Sequence, residues 1–189
     1  MLGSFQINVI QKNKVSKELK DIFEEGTNLF GVHRELMLYL GEQVVNGINY
    51  AFISRSEVVI PNPTPYYELI IINVDGEGRT CLVETETILK ASEFSIGGIV
   101  CSKEDEASIR IIDSTEAHDL LKLFDKGMHN VLGLDYEAEL YLGQKIVRGG
   151  NYYYLAEAKN VENKTKSIKL VVINLFTDKV QVVEIKDIL

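Results

Sequence analysis

The chain repeats itself. Residues 38–52, LYLGEQVVNGINYAF, align with residues 140–154, LYLGQKIVRGGNYYY, 102 positions later. Downstream, ELIIINV at 68–74 matches KLVVINL at 169–175, and LVETETIL at 82–89 matches VVEIKDIL at 182–189. Two copies point to duplication of one domain, because a solenoid needs at least about three stacked repeats to cover its faces. The 189 residues hold two small domains of this size. The boundary is expected near KASEF at 90–94, which gives domains at 1–92 and 93–189.

Each copy reads in the same order. A short β-branched run comes first, FQINVI in copy one and SIRIID (108–113) in copy two. A helix follows. Ser16 is a good N-cap, and Val15, Leu19, Ile22, Phe23, Gly26 and Phe30 recur at helical spacing on one face. In copy two Asp113 stands three residues before Glu116, as in a capping box, and Leu120, Leu121, Phe124, Gly127 and Val131 form the matching stripe. A mid-helix glycine costs about 1 kcal/mol. Its presence on the stripe of both copies, at Gly26 and Gly127, argues for close approach to a sheet; the alternative is a helix that ends or kinks there.

Four strand-like runs come next: in copy one ELMLYLGEQVV, INYAFISRSEVV, YYELIIINV and RTCLVETETIL. Asn46-Gly47 joins the first two and reads as a type I′ hairpin turn. DGEG at 75–78 joins the last two. The loop between, IPNPTPYY, holds all three prolines, which donate no ladder hydrogen bond. The expected fold class is α+β, with one helix packed against an antiparallel meander sheet in each copy.

Composition narrows the function. The chain is 46% hydrophobic and 25% charged, enough for an ordinary core. A net charge of −8 and a pI near 5.0 argue against non-specific nucleic-acid binding and against docking on an anionic membrane. No apolar run approaches the ~20 residues of a membrane helix. The N-terminus, MLGSFQINVIQKNK, lacks the pattern of a signal peptide, so a cytoplasmic location is expected, a trimmed secreted form being the alternative. Cys81 and Cys101 fall one in each copy; two free, partly buried thiols are expected, with a bridge as the alternative.

An enzyme is hard to assemble. His33, His118 and His129 lack metal-ligand spacing, neither cysteine sits in a nucleophile signature, and NVDGEG lacks the ligand positions of a calcium loop. No metal, cofactor or catalytic residue is expected. Tyr152, Tyr153 and Tyr154 alternate across a strand, so at least one faces outward, either to a partner or over the sheet edge.

QVVNG at 43–47 resembles the Gln-x-Val-x-Gly loop of the cystatins, inhibitors of papain-like cysteine peptidases, and INYAF resembles the run that follows it. The order of helix, strand, loop and three more strands is similar to that family, as is a glycine, Gly3, ahead of the helix. The resemblance implies two tandem cystatin-like domains. It also implies a wedge that fills a peptidase cleft reversibly, made of Gln43, Val44, Val45, Asn46 and Gly47 with Leu2 and Gly3 as a flexible arm. Copy two departs: Lys145 replaces the glutamine and Arg148 the asparagine, giving KIVRG. The family's Pro-Trp second hairpin is missing, since the chain has no tryptophan; DGEG and NLFTDK stand there instead, the latter offering Phe176. The partner implied is a papain-like peptidase. The rival is a non-inhibitory structural or interaction module that keeps the fold only. Edge strands that exchange between chains leave a homodimer open.

Overall fold

Residues 3–92 and 97–189 are described by the computed structural model, and the chain divides into two units, Met1–Lys90 and Ala91–Leu189. In unit 1 the first strand, β1 (Gln6–Gln11), precedes a helix, α1 (Lys17–Thr27). Ser16 caps that helix, its side-chain oxygen accepting from the Leu19 amide at 3.3 Å. Four strands follow: β2 (Val32–Val45), β3 (Gly47–Val58), β4 (Tyr66–Val74) and β5 (Thr80–Lys90). They form one antiparallel sheet in the order β1-β2-β3-β4-β5. Unit 2 holds a three-residue strand β6 (Ile99–Cys101), a one-turn helix α2 (Glu104–Ala107), the main helix α3 (Thr115–Met128), and β7 (Leu134–Val147), β8 (Gly149–Asn160), β9 (Lys166–Phe176) and β10 (Lys179–Asp187). Its sheet order mirrors the first, β6-β7-β8-β9-β10. Both units are α+β.

The start of copy two differs from the sequence reading. SIRIID is not a strand; the edge strand lies earlier, at Ile99–Cys101, and residues 108–113 form a turn that leads into α3. The cap also moves by one residue: Ser114, not Asp113, accepts from the Ala117 amide at 3.1 Å. Asp113 instead lies 3.3 Å from the imidazole of His118. The boundary expected at residue 93 falls on a residue outside the described ones.

The two helices lie on their sheets through matching contacts. Phe23 packs edge-on against Phe52 at 5.4 Å between ring centres, and Phe124 against Tyr154 at 5.2 Å. Around them Val15, Tyr39, Ile70 and Ile72 complete one core, and Leu120, Met128, Tyr141, Val171 and Ile173 the other. A Cβ on Gly26 would stand 2.7 Å from the Ile72 side chain, and one on Gly127 2.7 Å from Ile173. The glycines therefore permit close approach of helix to sheet. Phe30 leaves the expected stripe: α1 stops at Thr27, and Phe30 is fully exposed, as is its counterpart Leu132. The long strands β2 and β7 each slip register at two equivalent places, Leu36/Leu38 and Tyr39/Gly41 against Ala138/Leu140 and Tyr141/Gly143. Bulges at the same positions bend both strands alike.

Candidate functional site

The first hairpin closes around Asn46, with Val44 opposite Ile48 and Val45 opposite Gly47. A type I′ turn needs positive φ at both central residues. Gly47 has φ +96°, but Asn46 is not in the positive region, so this is a three-residue loop with glycine last. Unit 2 repeats it around Arg148, with Gly149 at φ +89°. The second demand on Gly47 is space. A Cβ there would lie 2.3 Å from the Val74 carbonyl oxygen, and one on Gly149 2.3 Å from that of Leu175. Each first hairpin thus presses its tip against the end of the strand that leads into the second hairpin.

Gln43 faces the other way. Its side-chain amide donates to the Gly3 carbonyl at 2.6 Å. Its side-chain oxygen accepts from Asn49 at 3.0 Å, and the Asn49 oxygen accepts from Asn73 at 2.8 Å. The amides make a ladder from β4 across β3 and β2 to the N-terminal segment. The Gly3 amide returns toward the Val44 carbonyl at 3.4 Å. Gly3, residues 44–47 and the turn after Val74 therefore stand in one row along one edge of unit 1. Leu2 lies outside the described residues. Val44 is the exposed apolar residue of the tip, at 61%, whereas Val45 is half-buried and Asn46 exposed.

The second turn is organised by Asp75. Its carboxylate accepts from the amides of Glu77 (2.9 Å) and Arg79 (3.0 Å) and from the Arg79 guanidinium (2.8 Å). The Arg79 amide, and then its guanidinium, hold this carboxyl below the usual range. In unit 2 the ladder survives as Asn174 donating to Asn151 at 2.7 Å, but Lys145 takes the place of Gln43. There the guanidinium of Arg148 lies over the Phe176 ring at 5.4 Å, a cation–π contact between the two hairpins.

Sequence reading missed a second group in unit 1. Arg34 pairs with Glu68 at 2.9 Å, and Glu68 also accepts from Ser56 at 2.6 Å, which lies 2.9 Å from Ser54. The two serines are fully buried, and the charged side chains are 9% and 4% exposed. One guanidinium nitrogen of Arg34, Nη1, is buried without a partner. The signal was available: at the same register unit 2 has Tyr136, Ala156, Ala158 and Lys169.

Among the described residues no group of three or more His, Cys, Asp or Glu side chains converges as a metal site. No helix among them is long and apolar enough to cross a membrane. Cys81 and Cys101 are not joined in a disulfide; Cys101 is buried, and Cys81 is exposed rather than partly buried.

The architecture defines an α+β protein built twice from one main helix and a five-stranded antiparallel sheet, with the one-turn α2 added in unit 2. No protein-family model matches the chain, and no curated protein matches it in sequence. Among solved structures it is similar to an Ntf2 like protein involved in plasmid conjugation, at 11% identity over 84% of this chain and 77% of that one, with a TM-score of 0.23. A likeness that weak carries no argument about fold or function.

Proposed function

We propose that the chain is a protein-binding protein of two cystatin-like domains, and that unit 1 inhibits papain-like cysteine peptidases by reversible occlusion of the active-site cleft. One observation carries the reading: the Gly3 arm, the Val44–Gly47 tip and the Asp75 turn stand side by side on one edge. A cleft blocker needs a thin, apolar, rigid edge, because ordering a flexible loop on binding lowers affinity. Val44 supplies an exposed apolar side chain with little rotamer freedom to lose. Gln43 acts from behind, fixing the arm against the hairpin, rather than as a direct contact. The partner is a peptidase, with no catalytic residue, metal or cofactor in this chain and no role for nucleic acid or membrane.

A second reading is a non-inhibitory interaction module of the same fold. The Asp75 turn favours it, since Asp75, Glu77 and Arg79 occupy one another in ion pairs there. Papain hydrolysis of a small peptide substrate separates the two. Inhibition by the full chain that Val44→Asp abolishes, with the circular dichroism spectrum and unfolding midpoint unchanged, supports the inhibitor. Folded protein that leaves papain-like enzymes untouched at micromolar concentration sinks it in favour of the module. Val45→Asp serves as a second variant, expected to lower stability as well because its side chain is half-buried.

A further inference from the structure

Unit 2 contains a cavity of about 750 Å³ between the first turns of α3 and the sheet. Its origin is the shortened edge strand. In unit 1, β1 continues to Gln11, Ile10 pairs opposite Tyr39, and Ile10 and Val15 pack into the core beside it. In unit 2, β6 ends at Cys101, opposite Gly143, and the Ser102 hydroxyl donates to the Tyr141 carbonyl at 2.7 Å as the chain turns away. β6 stops before the position of Ile10, and Tyr141, 7% exposed within the unit 2 core, still lines the cavity. Val15, just before the Ser16 cap of α1, is 5% exposed, whereas Glu116 in the first turn of α3 is exposed.

The lining is mixed, with Ser102, Thr115 and Gln144 among its polar members. Tyr141 and Tyr152, with ring centres 6.3 Å apart, and Leu120 and Leu123 make an aromatic and aliphatic wall. Glu106, Glu116 and Asp119 stand around it; Glu106 accepts from the Lys103 amide at 3.0 Å, and Lys122, outside the lining, lies 3.5 Å from the Asp119 carboxylate, which leaves Glu116 as the carboxylate with no cation beside it among the described residues. No lysine, arginine or histidine lines the cavity among the described residues. Its volume lies within the range of small-molecule sites, about 300–1,000 Å³. Tyrosine faces attract cations, and carboxylates beside a partly closed apolar wall add to that attraction.

We infer that this cavity is a binding site for a small organic cation, an alkyl- or arylammonium whose apolar body lies on Tyr141, Tyr152 and the leucines while its charge faces Glu116 and Asp119. The site is in unit 2 and does not depend on the peptidase reading, whose residues are in unit 1.

Calorimetric titration of the full chain with benzyltrimethylammonium tests it. The cation is expected to bind with a dissociation constant of about 1 mM or tighter, at least tenfold better than the uncharged 3,3-dimethylbutanol or the anion benzenesulfonate. Glu116→Gln with Asp119→Asn, both at exposed positions, should weaken it about tenfold, and Tyr152→Leu by a similar factor. Thr115→Arg, at an exposed position of the lining, should abolish it without any core change. Val44→Asp should leave it unaltered. Equal binding of cation and alcohol, no heat with the cation at about 10 mM, or an unchanged affinity in both the charge variant and Thr115→Arg overturns the inference.

Discussion

The two units solve the same packing problem with different interiors. Beyond the C-terminal end of α1, unit 1 buries Arg34, Ser54, Ser56 and Glu68, whereas unit 2 has Tyr136, Ala156, Ala158 and Lys169 at the same register. Toward the other end the relation reverses, for unit 1 is filled by Ile10 and Val15 where unit 2 is open. Because the fold closes in both versions, neither the polar cluster nor the cavity is required by it. A buried ion pair is weak evidence for stability, since removing two charges from water offsets their attraction. These are the places where the copies acquired separate properties on a shared frame.

The comparison can be broken most readily at Glu68. Glu68→Ala leaves Arg34 charged and buried, and should cost about 3–5 kcal/mol in urea unfolding. Lys169→Ala, at the matching place in unit 2, removes a partner of the largely exposed Asp187 and should cost no more than about 1 kcal/mol. Equal losses would mean that the cluster is no more buried in effect than its counterpart. The opposite experiment makes unit 1 resemble unit 2. Arg34→Tyr, Ser54→Ala, Ser56→Ala and Glu68→Leu together should be neutral, or stabilising by about 1–4 kcal/mol, because no unpaired charge remains.

A smaller contrast lies in the aromatic pairs. The Tyr154 hydroxyl donates to the Leu120 carbonyl at 3.0 Å, a bond that Phe52 in unit 1 does not make. Tyr154→Phe should therefore destabilise unit 2 by about 1 kcal/mol. Burial also pushes the Tyr154 phenol well above its ordinary range, so it donates throughout the neutral range. The smallest effect is expected at the Asp75 turn. Its carboxyl is held low in the folded state, so its contribution is complete above the ordinary carboxylate range, near about 3.9, and is lost as the pH falls below that. Asp75→Asn should lower the midpoint slightly at neutral pH and by less near about pH 2, as protonation removes the charge that the turn favours. A loss of the same size at both values would place the effect in the turn's shape rather than in its charge.

Much of the frame was legible because its physics is local. Ser16 precedes a 3.6-residue apolar stripe, and a side chain can cap a helix three residues away without help from the rest of the chain. The alternating and continuous apolar runs located the strands from β2 to β5, and the repeat transferred those assignments to copy two. The start of copy two was misread because SIRIID carries β-branched residues but has no neighbour to pair with once the edge strand lies at Ile99–Cys101. Asn46-Gly47 announced a turn correctly and its type incorrectly. The register of β2 on β3, set by long-range pairing and two bulges, chose a three-residue loop.

The candidate wedge shows the same division. The sequence placed Gln43, Val44, Val45, Asn46 and Gly47 together, because adjacent residues stay adjacent. It did not show that the Gln43 amide turns inward to Gly3 or that Val44 rather than Val45 faces outward, since both depend on strands distant in sequence.

Taken alone, the sequence determined the duplication, the α+β class, the Ser16 cap and the close-packing glycines, all of which rest on spacing within a few turns or strands. The tertiary structure decided which polar residues meet, as Arg34 meets Glu68 across the sheet, and where a three-residue strand leaves a cavity that a six-residue strand fills. Such features depend on which segments pair at long range, and apolar periodicity specifies a face without naming its neighbour.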